Sequence, residues 1–246
     1  MKIAVAGGTG TVGRPTVEAV RAAGHEAVVL SRAEGVDLVA GSGIDAALAG
    51  VDAVIDTANV STLSAADATA FFTTATGNLI SAAHRAGVGH VVLLSIVGID
   101  RIPYDYYAGK VAQERVVEAS AVPWTIVRAT QFHEFAAQLY QRAKVGPLHI
   151  APRARVQPIA AAEVGAHLAG VAAGPAQGRA RDIGGPREER LDEMVRAYAR
   201  HQGRRGWIPS VSLPGAQMKG MRAGDALPGP DAVLGTETFA EWLARS

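Results

Sequence analysis

The chain has 246 residues, enough for one large α/β domain or for a nucleotide-binding domain with a small second lobe. Hydrophobic residues make up 48% and glycine occurs 28 times, which suits a sizeable core joined by tight turns. A formal net charge of +1 without a long run of like charge argues against a nucleic-acid or acidic-membrane partner, and the absence of cysteine excludes disulfides, thiolate catalysis and Cys-ligated metals.

Met1 and Lys2 lead into the short apolar run Ile3–Ala6, which stops at glycine and has no cleavage-site context. Lys2–Ala6 is predicted as a strand, and Val12–Ala23 as the helix after it. Glu26–Ser31 is the second strand, followed by a weaker strand at Val36–Ala40 and a short helix at Ile44–Ala49. Strands at Asp52–Thr57, Val91–Ser95 and Trp124–Arg128 then alternate with helices at Ala65–Ala86 and Tyr107–Ala119. The strands are nearly continuous Val, Ile and Leu, as a parallel sheet covered on both faces requires. Gly24 and Gly87 stop helices, and Pro123 lies beyond the last one. Repeated strand–helix–strand units imply right-handed crossovers, so the expected fold is a Rossmann-type doubly wound α/β sheet.

After Arg128 the pattern loosens. Gln131–Ala143 reads as a helix, Val156–Ala160 and Ala180–Ile183 as strands, and Ala161–Ala173 as the helix between them. Glu189–His201 is an amphipathic helix behind the turn Gly184-Gly185-Pro186. Pro209–Pro230 reads as an ordered Gly/Pro-rich loop, and Thr236–Ala244 as a closing helix. The whole is expected to be one domain, 1–246. Residues 1–130 form its nucleotide-binding core, and 131–246 mainly cover the substrate, with some segments returning to the core. No apolar stretch approaches the roughly 20 residues of a bilayer span, so a cytoplasmic protein with no membrane partner is expected.

Gly7-Gly8-Thr9-Gly10-Thr11-Val12-Gly13 directly follows the first strand and opens the first helix. Glycine permits the turn and the approach of backbone to a pyrophosphate, which the helix N-terminus then favours. Gly7, Thr9, Gly10, Thr11, Val12 and Gly13 are therefore expected to bind a dinucleotide. An NAD site commonly ends its second strand in an acid that holds the ribose 2′-hydroxyl, whereas this chain has Ser31 and Arg32. A guanidinium grips a 2′-phosphate with charged hydrogen bonds, so NADP(H) is the preferred cofactor and NAD(H) the lesser one. Glu34 nearby weakens the preference.

Tyr106 and Lys110 share one face at the start of a helix. Phenol titrates near ~10, and an ammonium beside it stabilises the phenolate. Lys110 also suits the nicotinamide ribose. Ser95, at the carboxyl end of a central strand, is placed to bond the reacting carbonyl oxygen.

With these residues the chain resembles the short-chain dehydrogenase/reductase superfamily. Gly7, Gly10 and Gly13 match its GxxGxxG loop, Tyr106 and Lys110 its YxxxK pair, and Ser95 stands in place for its serine. "VAGGTGTVG", "HVVLLSIVGID" and "YYAGKVAQERVVEASAVPWTIVRATQFHEF" bring it closer to the NmrA-like, NAD(P)H-binding branch. The likeness implies that the last third covers the substrate. It departs at Gly41-Ser42-Gly43, where the family commonly carries an acid near the adenine.

Thr57, Ala58 and Asn59 are further expected cofactor contacts, although Asn59 serves equally well as a turn cap. Ala129 ends the last core strand near the nicotinamide. Gln131, Phe132 and Phe135 are expected to join Ser95 and Tyr106 around the substrate. Asn78 and His133 are read as structural, and no metal-ligand spacing is present. Met218 and Met221 either belong to a lid formed by Pro209–Pro230 or pack into the core. The expected activity is hydride transfer between nicotinamide and a small organic substrate, a carbonyl/alcohol pair being the simplest. The alternatives are an isomerase or epimerase using nicotinamide transiently, and a non-catalytic NADP(H) sensor. Helices such as Ala65–Ala86 form homodimer faces in related folds.

Overall fold

The computed structural model describes residues 1–102, 105–145, 148–204 and 206–246, which fall into two compact units. The first holds residues 1–96, 105–128 and 162–181. Its elements include β1 (Lys2–Ala6), α1 (Gly13–Ala22), β2 (Glu26–Leu30), α2 (Ile44–Ala47), β3 (Ala53–Asp56), α3 (Ala65–Arg85), β4 (His90–Ile96), α4 (Asp105–Glu118) and β5, whose full span is Trp124–Ala129. Most of the helix Ala161–Ala172 and the strand Gly178–Arg179, parallel to β5, also belong to it.

The sheet runs in the order β2-β1-β3-β4-β5. β1 pairs in parallel with β2, Ile3 against Ala27, and with β3, Ile3 against Ala53; β3 pairs in parallel with β4. Ile3 to Ala6 have no exposed surface, which explains why β1 is apolar at consecutive positions rather than alternate ones. Leu30, Leu48, Val54 and Leu79 form one core cluster; Leu93, Val117 and Ile126 form another. Glycine lets α4 come close to α3, since a Cβ on Gly109 would lie 2.7 Å from the Ala68 Cβ. Because the strands are parallel, Ala6 and Asp56 end on the same edge. There Thr57 donates its amide and its hydroxyl to the Ala6 carbonyl, at 3.0 and 2.7 Å.

The predicted strand Val36–Ala40 is not formed. Asp37 Oδ1 accepts the Val39 and Ala40 amides at 2.9 and 3.0 Å, bending the chain before a ladder can start. Only an isolated bridge, Asp37 with Ser42, remains. Asn78 tethers this loop by donating to the Leu38 and Val39 carbonyls.

The second unit holds residues 97–102, 129–161 and 182–246. In it Ala129 pairs with Ile183, and Ile183–Gly184 with Val233–Leu234, all in parallel. The helix expected from Gln131 begins at Glu134, because Phe132 bridges to Ile159 and the Gln131 carbonyl accepts the Ile159 amide. The strand expected at Val156–Ala160 shortens to Arg155–Val156, antiparallel to Glu189–Arg190; Pro158 has no amide with which to extend it. That pairing also delays the next helix to Leu191–His201. The expected loop Pro209–Pro230 contains the strand Ser210–Val211 and the helix Ala216–Ala223, which ends at Gly224 with φ +93°. Met221 is 1% exposed and belongs to this unit's interior, while Met218 is half-buried. Among the described residues no helix is long and apolar enough to cross a membrane.

Candidate nucleotide and catalytic site

The loop between β1 and α1 is built around glycine. A Cβ on Gly13 would stand 2.0 Å from the Gly7 carbonyl oxygen, and one on Gly7 would meet Ala58 Cα and the Thr57 carbonyl at 2.9 Å. Gly7 also has φ +71°, which favours glycine. Thr9, Gly10 and Thr11 form an exposed tip, while Val12 and Gly13 are buried beneath it. Among the described residues the amides of Thr11, Val12 and Gly13 have no intrachain acceptor. They stand at the N-terminus of a ten-residue helix, a donor set with a favourable dipole for an anionic pyrophosphate. These residues fit the phosphates of a dinucleotide.

Ser31 and Arg32 follow β2. The Ser31 Oγ is shielded from solvent and has no hydrogen-bond partner among the described residues. Arg32 is exposed. The Ala40 and Val39 amides hold the nearby Asp37 carboxyl below its ordinary range, with a smaller contribution from Arg32. Asp37 thus offsets part of the Arg32 charge.

Beyond β3 the chain runs through Thr57 and Ala58 to the exposed Asn59. The Tyr106 phenol donates to Asn59 Oδ1 at 2.6 Å and packs edge-on against Phe72, with ring centroids 5.7 Å apart. Lys110 Nζ lies 4.8 Å over the same Phe72 ring. Tyrosine and lysine on one helical face thus converge on one aromatic ring.

Lys110 is 5% exposed and donates to the Leu94 carbonyl at 2.8 Å and to Gln113 Oε1 at 2.5 Å. Burial pushes its ammonium down to about 8; Asp56 and then Glu114 oppose that fall. Asp56, 1% exposed, has its carboxyl pushed above the ordinary range by burial, against the opposing pull of the Ala58 amide and Lys110.

Ser95 is 2% exposed, and its hydroxyl donates to Glu114 Oε1 at 2.5 Å. A serine hydroxyl has one proton, so the expected bond to a substrate oxygen requires Ser95 to exchange acceptors. Glu114 also takes Arg128 at 2.8 Å and Arg179 at 2.9 Å. Burial works to raise the Glu114 carboxyl, but Arg128 and Ser95 bring it below its ordinary range. Asp56, Gln113 and Glu114 are the site residues that sequence reasoning missed. A lone acid closing an apolar strand, and polar residues three and four positions beyond Lys110, were the available signals.

The remaining expected residues lie in the second unit. Ala129 is 1% exposed, and its carbonyl accepts the Val97 amide at 3.0 Å. Phe132 and Phe135 are half-buried. Both polar atoms of the Gln131 side chain are buried without a hydrogen-bond partner among the described residues. His133 is fully buried, with its ring against Phe239 and Trp242.

The sequence model of the NAD(P)H-binding family matches residues 7–172, over half of the chain. No curated protein matches the sequence. Among solved structures the chain is similar to the NADPH-dependent quinone oxidoreductase of Escherichia coli complexed with NADPH, with 18% identity, a TM-score of 0.74 and 99% of each chain covered. A short-chain dehydrogenase/reductase superfamily protein from Agrobacterium tumefaciens with bound NAD is 19% identical, with a TM-score of 0.69, covering 100% of this chain and 95% of that one. A nucleoside-diphosphate-sugar epimerase from Pseudomonas aeruginosa is 18% identical, with a TM-score of 0.66 over 87% of this chain and 81% of its own. At these identities the likeness concerns the fold, a Rossmann-type parallel sheet.

Proposed function

Because the chain belongs to the NAD(P)H-binding family, we propose that it is an NADP(H)-dependent oxidoreductase of the short-chain dehydrogenase/reductase type, acting on a small organic substrate of the carbonyl/alcohol kind. The observation that carries this reading is the convergence of the Tyr106 phenol and the Lys110 ammonium on Phe72. A binding module has no need of an acid and its tuning cation on one helical face.

The Thr11, Val12 and Gly13 amides would hold the pyrophosphate, and Arg32 with Ser31 the 2′-phosphate. Thr57, Ala58 and Asn59 would flank the adenosine half. Bound NADPH would supply the hydride. Tyr106 would give its phenolic proton to the alkoxide oxygen, releasing Asn59 Oδ1 as its acceptor. The Lys110 ammonium would stabilise the phenolate left behind. Ser95 would orient the same oxygen by exchanging the Glu114 carboxylate for it. Within the second unit, Gln131 would meet polar substrate atoms, a role supported by its buried amide, which has no hydrogen-bond partner among the described residues; Phe132 and Phe135 would supply apolar contact.

The test is NADPH consumption, followed at the reduced nicotinamide absorbance, against quinones, ketones, enones and imines. Turnover with one class, lost in Tyr106→Phe, supports the reading; no turnover with any class counts against it. A second reading, an epimerase that oxidises and re-reduces its substrate with retained cofactor, is supported by the similarity to a sugar epimerase. Nicotinamide that stays bound through purification, with no net consumption, would favour it.

A further inference from the structure

Gln113 is fully buried and stands between Asp56 and Lys110. Its Oε1 accepts from Lys110 Nζ at 2.5 Å. Its Nε2 donates to Asp56 Oδ2 at 3.1 Å and to Thr76 Oγ1 at 2.8 Å. Thr76 in turn donates to Asp56 Oδ2 at 2.9 Å. Only one orientation of the amide satisfies this chain of contacts. Turned over, it would set an NH₂ against the ammonium and a carbonyl against the carboxylate.

The other Asp56 oxygen has a different task. Oδ1 accepts the Ala58 amide at 2.9 Å, one residue before Asn59, which takes the Tyr106 phenol. One buried carboxylate therefore reaches both members of the Tyr–Lys pair. It holds the lysine through Gln113 and the loop that receives the tyrosine through Ala58.

We propose that Asp56 is a positioning residue for Lys110, and that Gln113 is the arm through which it fixes the place and charge of the ammonium. This rests on the reading that Lys110 serves the reacting tyrosine and the cofactor. A buried ammonium without a counter-charge is costly, and a carboxylate acts strongly on it through a low-dielectric interior. The surroundings leave few other sources of that charge. α3 brings the Phe72 ring and the Thr76 hydroxyl, and β4 brings the Leu94 carbonyl. On α4 itself Glu114 contributes, but its carboxylate is engaged by Ser95, Arg128 and Arg179. Asp56 on β3 is the larger of the two anionic influences.

The chain has four lysines, so carbon-13 labelling at lysine Cε gives a spectrum in which Lys110 is assigned by its loss in Lys110→Arg. The titration midpoint of Lys110 would be read in the wild type, Asp56→Asn and Gln113→Leu, without cofactor. Both substitutions should lower it by about one pH unit and leave Lys2 and Lys219 unmoved. The pH above which NADPH affinity falls should move down by the same amount. An unchanged midpoint in both folded variants overturns the proposal whatever the affinity does. A midpoint that moves while the NADPH profile stays fixed keeps the Asp56–Gln113–Lys110 link and overturns the functional reading of Lys110. Asp56→Asn keeps the shape of the side chain, and Gln113→Leu tests the same link if the first variant does not fold.

Discussion

Tyr106 and Lys110 approach the Phe72 ring from one helical face, the phenol edge-on with centroids 5.7 Å apart and the ammonium 4.8 Å over the ring. Replacing the phenol removes the acid and leaves that packing in place. Tyr106→Phe should slow turnover by about 10²-fold or more and leave NADPH affinity nearly intact. Stopped-flow absorbance of reduced nicotinamide separates the two quantities. Full turnover in the variant would mean that hydride transfer here does not use the phenol.

Cofactor choice turns on Arg32. A charged hydrogen bond to the 2′-phosphate contributes roughly 1.5–3 kcal/mol, so Arg32→Ala should weaken NADPH by about ten-fold or more and barely change NADH. Fluorescence enhancement of the bound reduced nicotinamide measures both. Equal losses for the two cofactors would remove the assigned role from Arg32.

A methyl group on Gly13 has no room, since its carbon would lie 2.0 Å from the Gly7 carbonyl oxygen. Gly13→Ala should displace the loop and reduce NADPH affinity by at least about ten-fold. Gly24→Ala is the control. Gly24 has φ +79° with open space around it, so the change should cost about 1 kcal/mol of stability through backbone strain and spare the cofactor. If both variants bind NADPH like the wild type, the loop is not the phosphate site.

Burial holds the folded-state titration of Lys110 at about 8, while an unfolded lysine keeps its proton to about 10.4. Between these values the unfolded chain binds more protons than the folded one, so stability rises with pH through that window. The contribution fades as pH falls through the folded value. Urea unfolding of the wild type and of Lys110→Met, run from pH 7 to pH 10, should diverge by roughly 2 kcal/mol in favour of the wild type at high pH. Parallel curves would show that the buried ammonium titrates normally.

The parallel core was legible because its strands carry continuous apolar runs and its helices end at Gly24 and Gly87. The glycine loop was legible for the same local reason. The segment from Val36 to Ala40 misled because its Val and Leu pattern suits a strand, while Asp37 captures two amides and turns the chain. The helix Ala216–Ala223 was hidden between Gly215 and Gly224, which punctuate it so closely that eight residues leave little periodic signal. In the site, Tyr106 and Lys110 were readable from spacing. Asp56 and Gln113 were not, because residues 57 positions apart meet only in the folded unit, where the Gln113 amide reaches Asp56 Oδ2.

A calorimetric titration of the purified protein with NADPH, repeated with NADH, tests the nucleotide site most directly. Saturable binding of one NADPH per chain, tighter than NADH, is the expected result. Absence of saturable binding for both would contradict the assignment of the β1–α1 loop as a dinucleotide site and, with it, the proposed hydride transfer.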